Sequence, residues 1–214
     1  MDFNTFLESS VKLKNKELLG ESAHAKMSPP YRIKLAEQMA KKRKSAKHAG
    51  VMALFYPKGE HHETYIVLIL RKTYKGVHSA QVGFPGGKVE DEDASLEQTA
   101  LRETREEIGV PEADITVLKE LSPLYIPPSN FIVHPFIGYV FERPHFKKEE
   151  AEVDAIIEIS LKDLLNPKSV KNTKVPTSYN IEIEVPAFHL NGHIVWGATA
   201  MMLSELKLLL NGVK

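Results

Sequence analysis

The chain has 214 residues, of which 28 are Lys or Arg and 28 are Asp or Glu, so its formal net charge is zero. It contains no cysteine, which excludes disulfides, thiol catalysis and thiolate metal sites, and it has no apolar run of membrane-spanning length. The balanced charge supplies no overall field that attracts nucleic acid, and the absence of a signal pattern in the first residues leads us to expect a cytoplasmic protein without nucleic-acid or membrane partners.

Residues 1–48 are predicted to form a helical extension. A group of apolar residues near the start has partial helical spacing, which indicates a helix that packs either on the rest of the chain or on a second subunit of a homodimer. These residues are Phe3, Phe6, Leu7 and Val11.

The densest basic run covers residues 41–44, followed by Lys47 and His48. It is typical of the solvated end of a helix that begins after Pro29 and Pro30, because positive charge near a helix C-terminus suits the helix dipole. Contact with nucleic acid or with an anionic substrate is the alternative.

Residues 49–214 alternate predicted strands and helices, as is typical of an α/β domain. Asn191 and Gly192 predict a two-residue hairpin turn. The predicted strands cover residues 50–56, 64–71, 131–141, 153–159, 181–190 and 193–196, and the last predicted helix covers residues 198–210.

A helix that carries unusual charge is predicted over residues 96–108. Ser95 and Gln98 have capping-box spacing at its start, and Gly109 suits the left-handed backbone that ends a helix. At about 100° per residue, three glutamates fall near one another beside an apolar stripe. The three are Glu103, Glu106 and Glu107.

These glutamates predict a metal site. Glu103 and Glu107 repel each other in an isolated helix, and Arg102, four residues before Glu106, offsets only part of that repulsion. Because all the donors are oxygen atoms, Mg²⁺ or Mn²⁺ is favoured over zinc, and Mg²⁺ commonly takes substrate phosphate as a further ligand. We therefore expect a substrate that carries phosphate; a solvated acidic helix face is the alternative.

The segment from Gly86 to Val110 resembles the signature box of the Nudix hydrolases. Thr104 departs from the usual aliphatic residue, and the gap from Gly87 to Arg102 is one residue longer than in the common box, so both Glu90 and Asp93 are candidates for the upstream acid. The matching residues are Arg102, Glu103, Glu106, Glu107, Gly109 and Val110.

The longer gap is similar to the box of the coenzyme A (CoA) pyrophosphatase branch of that family. An upstream stretch over residues 71–87, RKTYKGVHSAQVGFPGG, also resembles a second signature of the branch, and later stretches resemble it over residues 124–131 and 194–200. This resemblance covers about residues 50–204.

The resemblance implies a Nudix-type α/β/α sandwich with a mixed sheet over residues 49–214. It also implies that Glu103, Glu106 and Glu107 hold Mg²⁺ or Mn²⁺ and that a water activated by the metal hydrolyses a pyrophosphate bond. Arg102 would steady the carboxylates. One of the glutamates or a residue of a distant loop would accept the proton, and the sequence does not choose between them.

CoA or acyl-CoA is the expected substrate, cleaved to 3′,5′-ADP and a phosphopantetheine. Another Nudix substrate such as ADP-ribose, a dinucleotide or a nucleoside triphosphate is the alternative, and a non-catalytic nucleotide sensor is a third reading that the presence of all three glutamates disfavours. The expected substrate contacts are Arg71, His78, Phe84, Gly86, Gly87 and Lys88, with Lys72 and Lys75 as further cations near the 3′-phosphate.

Overall fold

The computed structural model describes residues 1–72, 81–176 and 182–212. Its helices are α1 (Phe3–Asn15), α2 (Gly20–His24), α3 (Arg32–Gln38), α4 (Ala40–Arg43), α5 (Leu96–Ile108), α6 (Leu161–Leu165) and α7 (Gly197–Asn211). Its strands are β1 (Lys47–Lys58), β2 (Glu63–Arg71), β3 (Val82–Gly83), β4 (Gly86–Lys88), β5 (Thr116–Glu120), β6 (Leu124–Ile126), β7 (Phe131–Tyr139), β8 (Val153–Ser160), β9 (Val170–Pro176), β10 (Glu182–Leu190) and β11 (His193–Val195).

The larger sheet is built around β1, whose residues are buried on both sides over most of its length. This strand pairs in parallel with β7 and antiparallel with β2 and β4, and β3, β5, β6 and β8 complete eight strands. The continuous apolar run of β1 suits such a central position, because a strand covered on both faces has no solvent side. The sheet is therefore mixed, as predicted.

Helices cover both faces of this sheet, which confirms the predicted α/β/α arrangement. Alternate residues of β1 point to opposite sides: Met52 and Leu54 belong to a core under α5, whereas Ala53 and Phe55 belong to the core shared with α1 and α7. Strand β1 thus contributes side chains to the cores on both faces of the sheet.

The first helix packs on the sheet of its own chain. The ring of Phe6 lies 4.6 Å from that of Phe55 in β1, and Phe3 and Leu13 are buried in the same core. Val11, which shares the predicted spacing, is 68% exposed and takes no part in it. Packing within the chain is confirmed, while the homodimer and the domain division at residue 48 stay predictions.

The basic run lies at the end of a broken helical segment. Where the sequence predicts one helix after the two prolines, Met39 interrupts it with a ψ of 7° and separates α3 from α4. Residues 41–44 are exposed at the end of α4, in agreement with a solvated helix end.

A buried carboxylate links the N-terminal segment to α7. Glu205 is fully buried and accepts hydrogen bonds from the backbone N–H groups of Leu19 (3.1 Å), Gly20 (2.9 Å) and Ser122 (3.1 Å). The Ser122 hydroxyl donates a further bond of 2.7 Å, and His24 Nε2 lies 3.3 Å from Glu205 Oε2. This network joins three segments that are distant in sequence.

The smaller sheet, β9 to β11, leads the chain into α7. Asn191 and Gly192 both have positive φ, at 46° and 79°, and they join β10 to β11 in the predicted hairpin. Residue 181 of the predicted strand lies outside the described residues. None of the helices that the structure describes is long and apolar enough to cross a membrane.

Candidate active site

Helix α5 has the predicted bounds. The Ser95 side chain accepts a hydrogen bond from the Gln98 N–H, and Gly109 ends the helix in the left-handed conformation with a φ of 74°. The reciprocal half of the capping box is absent, because the Gln98 side chain donates instead to Glu112 at 2.5 Å. Only the Ser95 side chain therefore caps the start of the helix. The Gln98 side chain instead links α5 to the turn that follows it.

The buried side of α5 lies directly on the backbone of β1. A Cβ added to Gly50 would lie 2.4 Å from the carbonyl oxygen of Leu96 and 2.9 Å from the nitrogen of Ala100. Thr104, which departs from the family pattern, is fully buried and donates its hydroxyl to the Ala100 carbonyl at 2.6 Å. Its polar atom is thus satisfied inside the apolar interface.

Gly86 and Gly87 are required by close approaches on β4. Gly86 has a φ of 147°, and an added Cβ would lie 2.4 Å from the carbonyl oxygen of Gly50. At Gly87 the added atom would lie 2.3 Å from Oε1 of Glu103. The two glycines thus let the strand approach β1 on one side and the carboxylates of α5 on the other.

Glu107 is the most deeply buried of the three glutamates. Its side chain is 2% exposed; it accepts a hydrogen bond of 2.7 Å from the Gly86 N–H and lies 3.0 Å from Nη1 of Arg71. Burial raises the pKa of Glu107 to about 7, and the positive charge of Arg71 opposes that rise only in part. Nη2 of Arg71 also donates to the Gly86 carbonyl at 2.5 Å.

The other two glutamates share one arginine. Nη1 of Arg102 lies 3.1 Å from Glu103 and 3.0 Å from Glu106, and Glu106 also contacts Arg105 at 2.9 Å. Burial raises the pKa of Glu103, and the charge of Arg102 opposes that rise. Glu106 is the most accessible of the three, with 45% of its side chain exposed.

Of the two candidate upstream acids, Asp93 is the one that holds Arg102. Asp93 accepts two hydrogen bonds from this guanidinium, at 2.8 and 3.0 Å, whereas Glu90 lies 4.0 Å away and is 58% exposed. The bond from Arg102 holds the pKa of Asp93 well below its usual range. Arg102 also donates to the Lys88 carbonyl at 3.1 Å, so it links α5 to β4.

These contacts bear on whether the site suits a divalent cation. Across the part of the chain that the structure describes, no three His, Asp or Glu side chains converge in metal-ligand geometry, and each of the three glutamates is paired with an arginine. The donor chemistry nevertheless fits Mg²⁺ or Mn²⁺: the donors are oxygen only, and the lack of a side chain at Gly87 lets the Glu103 carboxylate lie against β4. The assignment of the three glutamates as ligands stays a prediction.

A cavity of about 340 Å³ lies next to this cluster. Arg71, Gly86 and Gly87 contact the carboxylates and also line the cavity, and Phe84 and Lys88 line it beside them. The structure therefore brings together five of the six expected substrate contacts. His78, the sixth, and Lys75 lie outside the described residues.

Part of the cavity wall was not expected from the sequence. Pro29, Tyr31, Arg32 and Leu35 of the N-terminal segment line it, together with Trp196 at the start of α7. Nothing in the local sequence around Arg32 marks it as a cavity residue, because its position depends on a contact with the Tyr125 carbonyl of β6, 93 residues further along the chain. Ser129 and Phe131, whose role the sequence left open, also line the cavity.

The comparisons with known proteins agree with this architecture. The family model of the NUDIX domain matches residues 46–179. NudL of Yersinia enterocolitica, a Nudix hydrolase that is itself uncharacterized, is 33% identical over 144 residues, which cover 67% of this chain and 73% of NudL. Its counterpart in Yersinia pestis is 32% identical over 144 residues, covering 67% of this chain and 71% of that protein.

Among solved structures, the fold is similar to that of a MutT/Nudix family protein from Enterococcus faecalis. That match has a TM-score of 0.51 and 15% identity, and it covers 96% of this chain and 74% of the other. The chain belongs to the Nudix hydrolase family. Membership implies hydrolysis of a pyrophosphate bond in a nucleoside diphosphate derivative, and proteins of this family generally use divalent metal ions.

Proposed function

We propose that this protein hydrolyses the diphosphate of CoA or of an acyl-CoA, releasing 3′,5′-ADP and 4′-phosphopantetheine or its acylated form. The observation that carries the proposal is the junction at Arg71, Gly86 and Gly87, which contact the carboxylates of α5 and line the cavity. A diphosphate at this junction lies beside the glutamates while the rest of the substrate fills the cavity. Arg71 and Gly87, the first and last residues of the stretch over residues 71–87 that resembles the CoA branch, both line the cavity.

Glu103, Glu106 and Glu107 would hold Mg²⁺ or Mn²⁺. When bound, the metal neutralises charge on the phosphate oxygens and lowers the pKa of the attacking water. Because the carboxylates of Glu103 and Glu107 are buried enough to raise their pKa values, a cation beside them would favour their charged forms.

The remaining residues orient these groups. Asp93 fixes the guanidinium of Arg102, which in turn fixes Glu103 and Glu106 on the same side of α5. Arg71 does the same for Glu107 and also binds the Gly86 carbonyl, so it aligns β4 with the helix. Phe84, which is 2% exposed, helps to exclude water from the cavity beside the junction.

Substrate choice is tested by measuring hydrolysis of CoA, an acyl-CoA, ADP-ribose, NADH and a nucleoside triphosphate with Mg²⁺ and with Mn²⁺. We expect the CoA compounds to have the highest kcat/KM, with 3′,5′-ADP as a product. Turnover of ADP-ribose without turnover of CoA would reject the substrate proposal while leaving the family chemistry intact.

The role of the glutamates is tested by Glu106→Gln. Its side chain is half exposed, so the fold should persist while kcat falls by about 100-fold or more, since a metal ligand typically contributes several kcal/mol to transition-state stabilisation. Glu97→Gln is the matched control, because Glu97 is exposed in the first turn of the same helix. Equal activity of the two variants would refute the metal assignment.

A further inference from the structure

The cavity contains a positive charge that no residue of the described chain neutralises. Arg32, at the start of α3, lines the cavity and is partly buried. Within the described residues the one hydrogen bond of its guanidinium is donated by Nη2 to the Tyr125 carbonyl, and no carboxylate lies within ion-pair distance. Because a guanidinium has five N–H donors, most of them stay available to a ligand.

The burial of this charge has a cost. Desolvation lowers the pKa of the Arg32 guanidinium, yet an arginine side chain stays protonated in proteins. A partly buried cation without an anion is the arrangement that an anionic ligand stabilises, and the planar guanidinium suits phosphate especially well.

A second donor lies on the loop after β6, close in sequence to the carbonyl that Arg32 contacts. The hydroxyl oxygen of Ser129 is buried and has no hydrogen-bond partner among the described residues, and Ser129 lines the same cavity. Buried hydroxyl groups in native proteins are nearly always paired. Arg32 and Ser129 therefore offer two unused donors to one cavity.

The Tyr125 carbonyl that Arg32 contacts and the Lys88 carbonyl that Arg102 contacts lie on the two outer strands of a row of four. Tyr125 of β6 pairs with Ile132 of β7, which pairs with His48 of β1, and the neighbouring residue of β1, Ala49, pairs with Lys88 of β4. Tyr125 and Lys88 are therefore three strand spacings of about 4.8 Å apart, a distance of about 14 Å. A ligand that reaches both ends must carry negative charge at two places.

We propose that Arg32 and Ser129 form a subsite for a phosphate group of the substrate that lies outside the scissile diphosphate. Under the proposed function, on which this assignment rests, that group is the 3′-phosphate of CoA. The sequence predicts that cations near β2 and β4 bind the 3′-phosphate. However, Arg71 already contacts Glu107 and the Gly86 carbonyl. The charged member of this subsite thus comes from the N-terminal segment, and its hydroxyl member comes from the loop after β6.

The subsite is tested with CoA and dephospho-CoA, which differ only in that phosphate. In Arg32→Gln, kcat/KM for CoA should fall roughly 10- to 100-fold, mostly through KM, because a charge-assisted hydrogen bond is lost. The value for dephospho-CoA should change less than about threefold, and Arg32→Lys should recover part of the loss for CoA. Ser129→Ala should have the same selectivity with a smaller effect.

Lys34→Gln is the control, because Lys34 is exposed on the same helix and does not line the cavity; it should leave both substrates unchanged. An equal fall for CoA and dephospho-CoA in Arg32→Gln would assign Arg32 a structural role and overturn the proposal. Unchanged kinetics for both substrates would overturn it as well.

Failure of the subsite can be separated from failure of the proposed function. Isothermal titration calorimetry without added metal compares the binding of 3′,5′-ADP and of AMP, which again differ by the 3′-phosphate. A preference for 3′,5′-ADP that is lost in Arg32→Gln supports the subsite even if CoA is not hydrolysed. Equal affinities for the two nucleotides in the unmodified protein would overturn it.

Discussion

Replacing Glu205 by Gln should destabilise the fold by about 3 kcal/mol at neutral pH. Burial alone would raise the pKa of Glu205, but the nearby His24 side chain and the hydrogen bonds from Ser122 and Gly20 outweigh it and lower that pKa from 4.5 to about 2. A lowering of this size corresponds to about 3 kcal/mol of stabilisation of the folded state. The contacts agree, because the amide NH₂ of Gln would face backbone N–H donors, and a buried donor left unpaired costs about 1–3 kcal/mol.

The pH dependence follows from the direction of this pKa change. A carboxyl group whose pKa is lowered by folding contributes its full stabilisation above its unfolded pKa, and the contribution is lost as pH falls through the folded value. The difference in unfolding free energy between the unmodified protein and Glu205→Gln should therefore be full at pH 7. It should shrink below about pH 5 and largely vanish near pH 2.

Urea unfolding can be followed by the fluorescence of Trp196, the single tryptophan of the chain. It measures the loss of unfolding free energy in Glu205→Gln and how that loss changes with pH. Glu8→Gln is the control, because Glu8 is exposed on α1 and should change stability by less than about 0.5 kcal/mol. A loss below about 1 kcal/mol in Glu205→Gln, or a loss that is the same at pH 7 and pH 3, would refute the reasoning.

The remaining predictions concern the candidate active site. Gly87→Ala should lower kcat at least tenfold but cost less than about 1 kcal/mol of stability, because the added methyl group meets only the end of a flexible glutamate side chain. Gly86→Ala should instead cost about 3 kcal/mol in urea unfolding, since its methyl group would meet backbone atoms; equal costs for the two variants would contradict this distinction. Asp93→Asn should remove about 2 kcal/mol of stability and much of the Mg²⁺-dependent activity by releasing Arg102, whereas Glu90→Gln should change stability by less than about 0.5 kcal/mol. A Glu90→Gln effect as large as that of Asp93→Asn would show that the wrong acid has been assigned.

The sequence predicts the elements whose signals are local. The bounds of α5 follow from Ser95 and Gly109, and the hairpin at Asn191 and Gly192 follows from its turn residues, because these signals act within a few residues of the structure that they specify. The acidic side of α5 follows from helical periodicity in the same way.

The pairing of charges in the site could not be predicted in this way. Glu107 meets Arg71, 36 residues earlier, and that contact depends on where the fold places the end of β2 relative to α5. The choice between Asp93 and Glu90 likewise depends on the path of the loop before α5, which brings Asp93 to Arg102 and leaves Glu90 in solvent. The contribution of Arg32 depends on packing between segments 93 residues apart.

The cavity is lined partly by segments that lie outside the stretch that the family model matches. The carboxylates and the glycines beside them lie within the stretch that the family model matches, whereas Arg32 precedes that stretch and Trp196 follows it. Substitutions in the flanking segments can therefore reshape the cavity without changing any residue of α5. Relatives that share the box at residues 86–110 but differ in these flanks are expected to keep the chemistry while accepting different substrates, so the flanks, rather than the box, are the region in which to look for changes of specificity.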